Sequence, residues 1–133
     1  MTSTSKKGGP LRASIVSVAL AAAVAPALAQ NYRGLLKNTP VESFNAEDRR
    51  LFQEASRKTL NDTPAGETVT WSNPATESHG ELKVLKDFTW KDNRCREVRV
   101  HNESHGANAT NTVSMCKVAD KWRAVSASEL AKR

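Results

Sequence analysis

Apolar positions between Asn45 and Val125 follow two different periods. Leu51, Phe52, Ala55, Thr59 and Leu60 recur at helical spacing and form one stripe, while Arg49, Arg50, Arg57 and Lys58 lie largely off it. Asn45 is a good N-cap, with Glu47 and Asp48 in the first turn where acidic groups suit the helix dipole. "NDTPAG", Asn61 to Gly66, supplies the stop. After Gly66 the period becomes two. "ETVTW" (Glu67 to Trp71) is a short strand. "ELKVLKDFTW" (Glu81 to Trp90) places Leu82, Val84, Phe88 and Trp90 on one face, with Lys86 interrupting. "CREVRV", "NTVSMCKV" and "KWRAV" complete a set of about five strands, and Asp92-Asn93, His105-Gly106 and Ala119-Asp120 mark the turns between them. One N-terminal helix packed on a small antiparallel β-meander is an α+β domain.

The turn at His105-Gly106 predicts a register. If these two residues form the loop, facing residues have numbers that sum to 211, and Cys95 and Cys116 meet that condition. They fall on a non-hydrogen-bonded pair, where strand backbones approach most closely and a cross-strand disulfide fits. The same register sets Val98, Val100, Val113 and Met115 on one face. Glu97, Arg99, Thr112 and Ser114 share the other with the cysteines, so the disulfide is expected on the less buried side. A two-residue Asp92-Asn93 loop conflicts with this pattern, because it puts Glu97 and Arg99 on the face of Phe88 and Trp90. A three-residue loop, Asp92 to Arg94, sets Val98 opposite Phe88 and is preferred.

The first 29 residues lie outside this pattern. Lys6, Lys7 and Arg12 precede the apolar run "ASIVSVALAAAV", and "PALA" ends it with small residues, which together read as a secretory signal peptide cleaved between Ala29 and Gln30. Removing 29 residues from 133 leaves 104, enough for one small domain. The signal carries three basic residues and no acidic ones, so the formal charge of +6 falls to +3. A spread charge of that size makes no case for nucleic acid. No second apolar span follows the signal. The expected organisation is a signal at 1–29, a linker at 30–44, the α+β domain at 45–126 and a tail at 127–133. Two cysteines in an exported chain read as one disulfide, contributing about 3 kcal/mol by the chain-entropy model.

Taken in order, "AEDRRLFQEA", "TVTWSNPAT", "CREV" and "CKVADKW" resemble the C-terminal domain of the rickettsial 17-kilodalton surface antigen family of bacterial envelope proteins, from about Asn45 to Val125. The resemblance implies a gram-negative envelope location and a small α+β domain, with no reaction and no catalytic residues. The chain departs from the family pattern in lacking a lipoprotein cysteine after the signal and a glycine-rich segment. Glu77 stands where the family has glycine, and Thr-Val-Ser-Met precedes the second cysteine. These departures favour a free periplasmic domain and leave outer-membrane association open.

Chemistry is sparse. His79, His101 and His105 lie on separate strand and turn positions, so they read as surface histidines with no metal-ligand spacing. No nucleophile elbow or paired carboxylates are visible, and no cofactor motif appears, so the chain reads as non-enzymatic. In "TWSNPATESHG", Trp71, Asn73, Pro74 and Thr76 serve two readings. They end a strand, with Trp71 in the core, or they form a partner-binding loop. Sequons occur at Asn61, Asn102 and Asn108, and because the resemblance implies a bacterial source they are read as coincidental. The expected role is a periplasmic or outer-membrane-associated envelope protein with a structural or partner-binding function. The alternative is a small secreted inhibitor of a hydrolase such as lysozyme. The exported product should begin at Gln30, which its intact mass reads directly; a product that keeps residues 13–29 would contradict the signal assignment.

Overall fold

A computed structural model describes residues 8–9 and 38–132. The signal assignment, including Ala29 and Gln30, and the linker residues before 38 lie outside the described residues. A 3-10 turn, Pro40–Ser43, leads into helix α1, Ala46–Asn61. Strands β1 (Thr68–Asn73), β2 (Ser78–Trp90), β3 (Asn93–Ser104), β4 (Ala107–Val118) and β5 (Lys121–Val125) follow, and a short helix α2, Ala127–Leu130, ends the described chain. The five strands form one antiparallel sheet in sequence order. Helix α1 packs against β1 and β2 on one face, so the fold is the α+β meander expected.

The start of α1 is a complete capping box. The Asn45 side chain accepts from the Asp48 backbone N–H at 2.8 Å, and the Asp48 carboxylate accepts from the Asn45 N–H at 3.0 Å. Four of the five stripe positions, Phe52, Ala55, Thr59 and Leu60, are buried against the sheet, Leu51 is half-buried beside them, and the buried Ser56 donates its hydroxyl to the Phe52 carbonyl. At the other end, the buried guanidinium of Arg96 donates to the carbonyls of Thr59 (2.8 Å) and Leu60 (3.3 Å) and pairs with Asp87 at 2.6 Å. The Trp122 indole donates to Asn61 Oδ1 at 2.9 Å. A cation thus meets the carbonyl end of the helix dipole and a carboxylate its N–H end.

The β3–β4 register is the one predicted, with Cys95 opposite Cys116, Val98 opposite Val113 and Ser104 opposite Ala107. The disulfide is formed, with the two Cα atoms 4.0 Å apart. The β2–β3 hairpin differs from the expectation. Its loop is Lys91-Asp92, closed by Trp90 opposite Asn93, and the register shifts at a bulge between Val84 and Lys86. An extra residue in one strand swaps the faces of everything beyond it. Leu82 and Val84 therefore face α1 opposite Val100 and Val98, whereas Phe88 turns to the reverse face opposite Cys95. The bulge, and not a three-residue loop, reconciles the two apolar patterns. All three two-residue loops hold positive φ at both positions: 47° and 62° at Lys91 and Asp92, 52° and 77° at His105 and Gly106, 49° and 63° at Ala119 and Asp120.

The main core joins Phe44, Phe52, Leu60, Trp71, Leu82, Val98, Val100 and Met115 among others. Phe44 lies within the expected linker, yet it is buried, with its ring edge-on to Trp71 at 5.1 Å. The last five linker positions therefore belong to the domain. On the reverse face Phe88, Trp90, Val118, Val125 and Leu130 cover the disulfide, and both cysteines are fully buried. The expectation of a less buried side fails because the bulge delivers Phe88 and Trp90 there, and α2, from the expected tail, adds Leu130.

Gly80 sits within β2, one residue ahead of the Glu81 at which the sequence pattern begins this strand. It lies opposite Trp71 on one side and Asn102 on the other. The Trp71 indole donates to Asn102 Oδ1 at 3.1 Å across it. A Cβ at Gly80 would come within 2.7 Å of Trp71 Nε1 and 2.5 Å of the His101 carbonyl, and closer still to Asn102 Oδ1. Gly80→Ala should therefore cost about 2–3 kcal/mol through overpacking and a strained hydrogen bond. Urea unfolding reads it, and an unchanged midpoint would contradict the close approach.

Candidate functional site

Three of the four residues singled out in the Trp71–Thr76 run are turned inward. Trp71 is buried between Phe44 and Phe52, with ring centroids at 5.1 and 6.0 Å. Asn73 is buried and donates its amide to Asp48 Oδ1 at 2.8 Å, while its own Oδ1 accepts from the Ala75 N–H. Thr76 is half-buried and donates its hydroxyl to the same Asp48 oxygen at 2.7 Å. Pro74 alone is exposed. The run thus turns the chain from β1 to β2 and ties that turn to the first turn of α1. Glu77, where the family resemblance leads one to expect glycine, closes the turn at φ 60°, in the left-handed region that costs a non-glycine residue roughly 1 kcal/mol.

Asp48 is the hub of this arrangement and is fully buried. Burial is the largest single influence on its carboxyl and pushes it up. The Thr76 hydroxyl, the Asn45 backbone N–H, the Asn73 amide and the Ser78 hydroxyl together outweigh burial and hold it below the ordinary aspartate range. Ser78 also shares a hydrogen bond of 2.8 Å with Ser104, and Ser104 lies 3.4 Å from Ser43, so the polar end of the core is bonded throughout.

Outside this buried network the same end of the sheet is concave. The β1–β2 turn and the β3–β4 tip flank a depression of about 760 Å³ whose rim includes Pro74, Glu77, His79, Glu103, His105 and Asn108. A second depression of about 550 Å³, lined by Thr70, Ser72, His79, Glu81 and His101, opens beside it on the sheet face away from α1. Between them His79 Nε2 lies 3.0 Å from one oxygen of Glu103, and His101 Nε2 lies 3.2 Å from the other. His79 and His101 therefore come together, while His105 sits apart at the hairpin tip. Among the described residues no three ligand-type side chains already surround a common point.

The Asp48 hub and the His79–Glu103–His101 cluster were not singled out from the sequence. Asp48 was legible as a first-turn acid suited to the helix dipole but not as the anchor of a turn 25 residues away. His79-x-Glu81 and His101-x-Glu103 carry the same spacing, which puts each pair on one face of a strand. The sequence pattern begins this strand at Glu81, which leaves His79 outside it, whereas β2 begins at Ser78. The sequon at Asn102 is buried in its bond to Trp71, and Asn61 is engaged by Trp122. Compared with known proteins, the chain matches no protein-family model, no curated protein and no solved structure.

Because the Asp48 carboxyl is depressed in the fold, the stability it contributes is present above the unfolded aspartate value of about 3.9 and is lost as pH falls through its lower folded value. Asp48→Asn should weaken the domain at neutral pH by about 1–3 kcal/mol and flatten the decline below about pH 4. Denaturant midpoints of both proteins at pH 3, 4 and 7 check this, and parallel declines would show that another group governs the acid limb.

Proposed function

We propose that this chain is an exported, non-enzymatic domain of the gram-negative envelope, periplasmic and free or associated with the outer membrane, that binds an envelope protein or polymer at the open end of its sheet. The observation that carries the export half is the buried Cys95–Cys116 disulfide, a bond that persists in oxidising compartments. The signal-like N-terminus and the resemblance to envelope antigens support the same compartment. No helix among the described residues is long and apolar enough to cross a membrane.

The binding half rests on how the Trp71–Thr76 run is used. Trp71, Asn73 and Thr76 are engaged within the fold, so the surface offered to a partner is the rim around them. Pro74, Glu77, His79, His105 and Asn108 are exposed there, and two loops hold them on either side of one depression. A concave surface whose flanking segments are fixed by a rigid sheet can hold a partner in one orientation. The inhibitor reading shares this end of the molecule, since the two flanking loops are the prongs such a protein would present to a hydrolase cleft.

Periplasmic extract passed over the mature chain should yield a specific partner. Pro74→Arg and Asn108→Arg change exposed rim positions outside the Asp48 network, so each should weaken capture at least ten-fold with an unchanged melting temperature. Capture indifferent to both changes would place binding elsewhere, and free thiols in the protein taken from cells would contradict export. A lysozyme activity assay with the added chain distinguishes the inhibitor reading.

A further inference from the structure

Register places two His-x-Glu pairs side by side on the sheet face away from α1. In β2 these are His79 and Glu81; in β3 they are His101 and Glu103. His79 stands opposite Glu103, and Glu81 opposite His101. Residues two apart on a strand share a face, so four metal-ligating side chains occupy one two-by-two patch. Such juxtaposition on adjacent strands gathers imidazole and carboxylate donors without any loop.

The outer ring nitrogens already have partners. His79 Nδ1 lies 3.0 Å from the Glu77 carbonyl, and His101 Nδ1 lies 2.7 Å from the Thr110 hydroxyl. Both Nε2 atoms are thereby aimed at Glu103. This is how metal-binding histidines are held, with Nδ1 tied to an outer partner and Nε2 presented. Both nitrogens of His79 face acceptors, a carbonyl and a carboxylate, an arrangement that a second ring proton or a cation bound at Nε2 satisfies equally.

Distances agree with this. Two donors each about 2.0–2.1 Å from a tetrahedral zinc ion lie roughly 3.3 Å apart. The Nε2 to oxygen separations are 3.0 and 3.2 Å. The contacts involve different oxygens of Glu103, and no three donors yet surround one point. The patch is therefore not preformed, and uptake has to draw both rings around the carboxylate. Exposure allows that, with the side chains of His79, Glu103 and His101 51%, 44% and 29% accessible.

We propose that His79, His101 and Glu103, with Glu81 as the fourth donor, bind a divalent transition-metal ion of the zinc type. Calorimetric titration of the mature, disulfide-bonded chain with zinc chloride should saturate at one ion per chain. His79→Ala, His101→Ala and Glu103→Gln should each weaken binding at least ten-fold, and Thr110→Val, which frees the His101 ring, by about ten-fold. His105→Ala should leave it unchanged. Metal-free melting curves establish that each variant is folded. Imidazole nitrogen NMR of the unaltered chain provides a readout independent of any substitution: zinc should shift Nε2 of His79 and His101 and leave His105 in place. The absence of saturable binding would overturn the proposal, as would shifts confined to His105 or binding retained by the folded His79→Ala/His101→Ala double variant.

Discussion

A single buried carboxylate sets the relation between helix and sheet. Asp48 completes the N-cap of α1 through the Asn45 N–H and receives Asn73 and Thr76 from the turn that follows β1. A carboxylate without donors in that position would be strongly destabilising, so the helix start, the end of β1 and the turn have to form together. Trp71 is seated between Phe44 and Phe52 because the turn two residues later is anchored there. Gly80 in turn leaves room for the indole N–H to reach Asn102.

The far end of the helix is held with the opposite charge. Arg96 spends its guanidinium on the last carbonyls of α1 and on Asp87, and it can do so only because the bulge near Leu85 turns Asp87 to the α1 side. The same bulge sends Phe88 and Trp90 to the reverse face. One inserted residue thus has two consequences: a partner for a buried arginine and a lid for the disulfide. The sheet carries a core on both faces, though α1 covers only one.

This economy shapes the functional reading. Residues that resemble a recognition motif in the sequence serve packing, and the chemistry left on the surface lies around them. The rim of the depression and the paired His-x-Glu strands occupy the same end of the meander. Their positions follow from the β1–β2 turn and from the register that the two-residue His105-Gly106 loop sets between β3 and β4. Glu77 in the β1–β2 turn, and Lys91, Asp92, His105, Ala119 and Asp120 in the two-residue loops, all take left-handed backbone conformations. Favourable packing elsewhere offsets that local cost.

Much of this was legible from local pattern. The stripe from Leu51 to Leu60 and the Asn45 cap define α1 through neighbours three or four residues away, and the alternation after Gly66 defines the strands. The Cys95–Cys116 pairing followed from a turn and a sum, since hairpin register is a local property. The Lys91-Asp92 loop was not legible, because Asp-Asn is the better turn pair by composition, and the true register depends on a bulge between Val84 and Lys86 in the strand before the turn. Nor were the roles of Asp48, Arg96 and Gly80, or the meeting of His79 with Glu103 and His101. Each of these depends on groups far apart in the chain. Periodicity reports which face a residue occupies, but only the packed sheet and helix decide which buried charge finds a donor, which glycine has no room for a methyl, and which two histidines share a carboxylate.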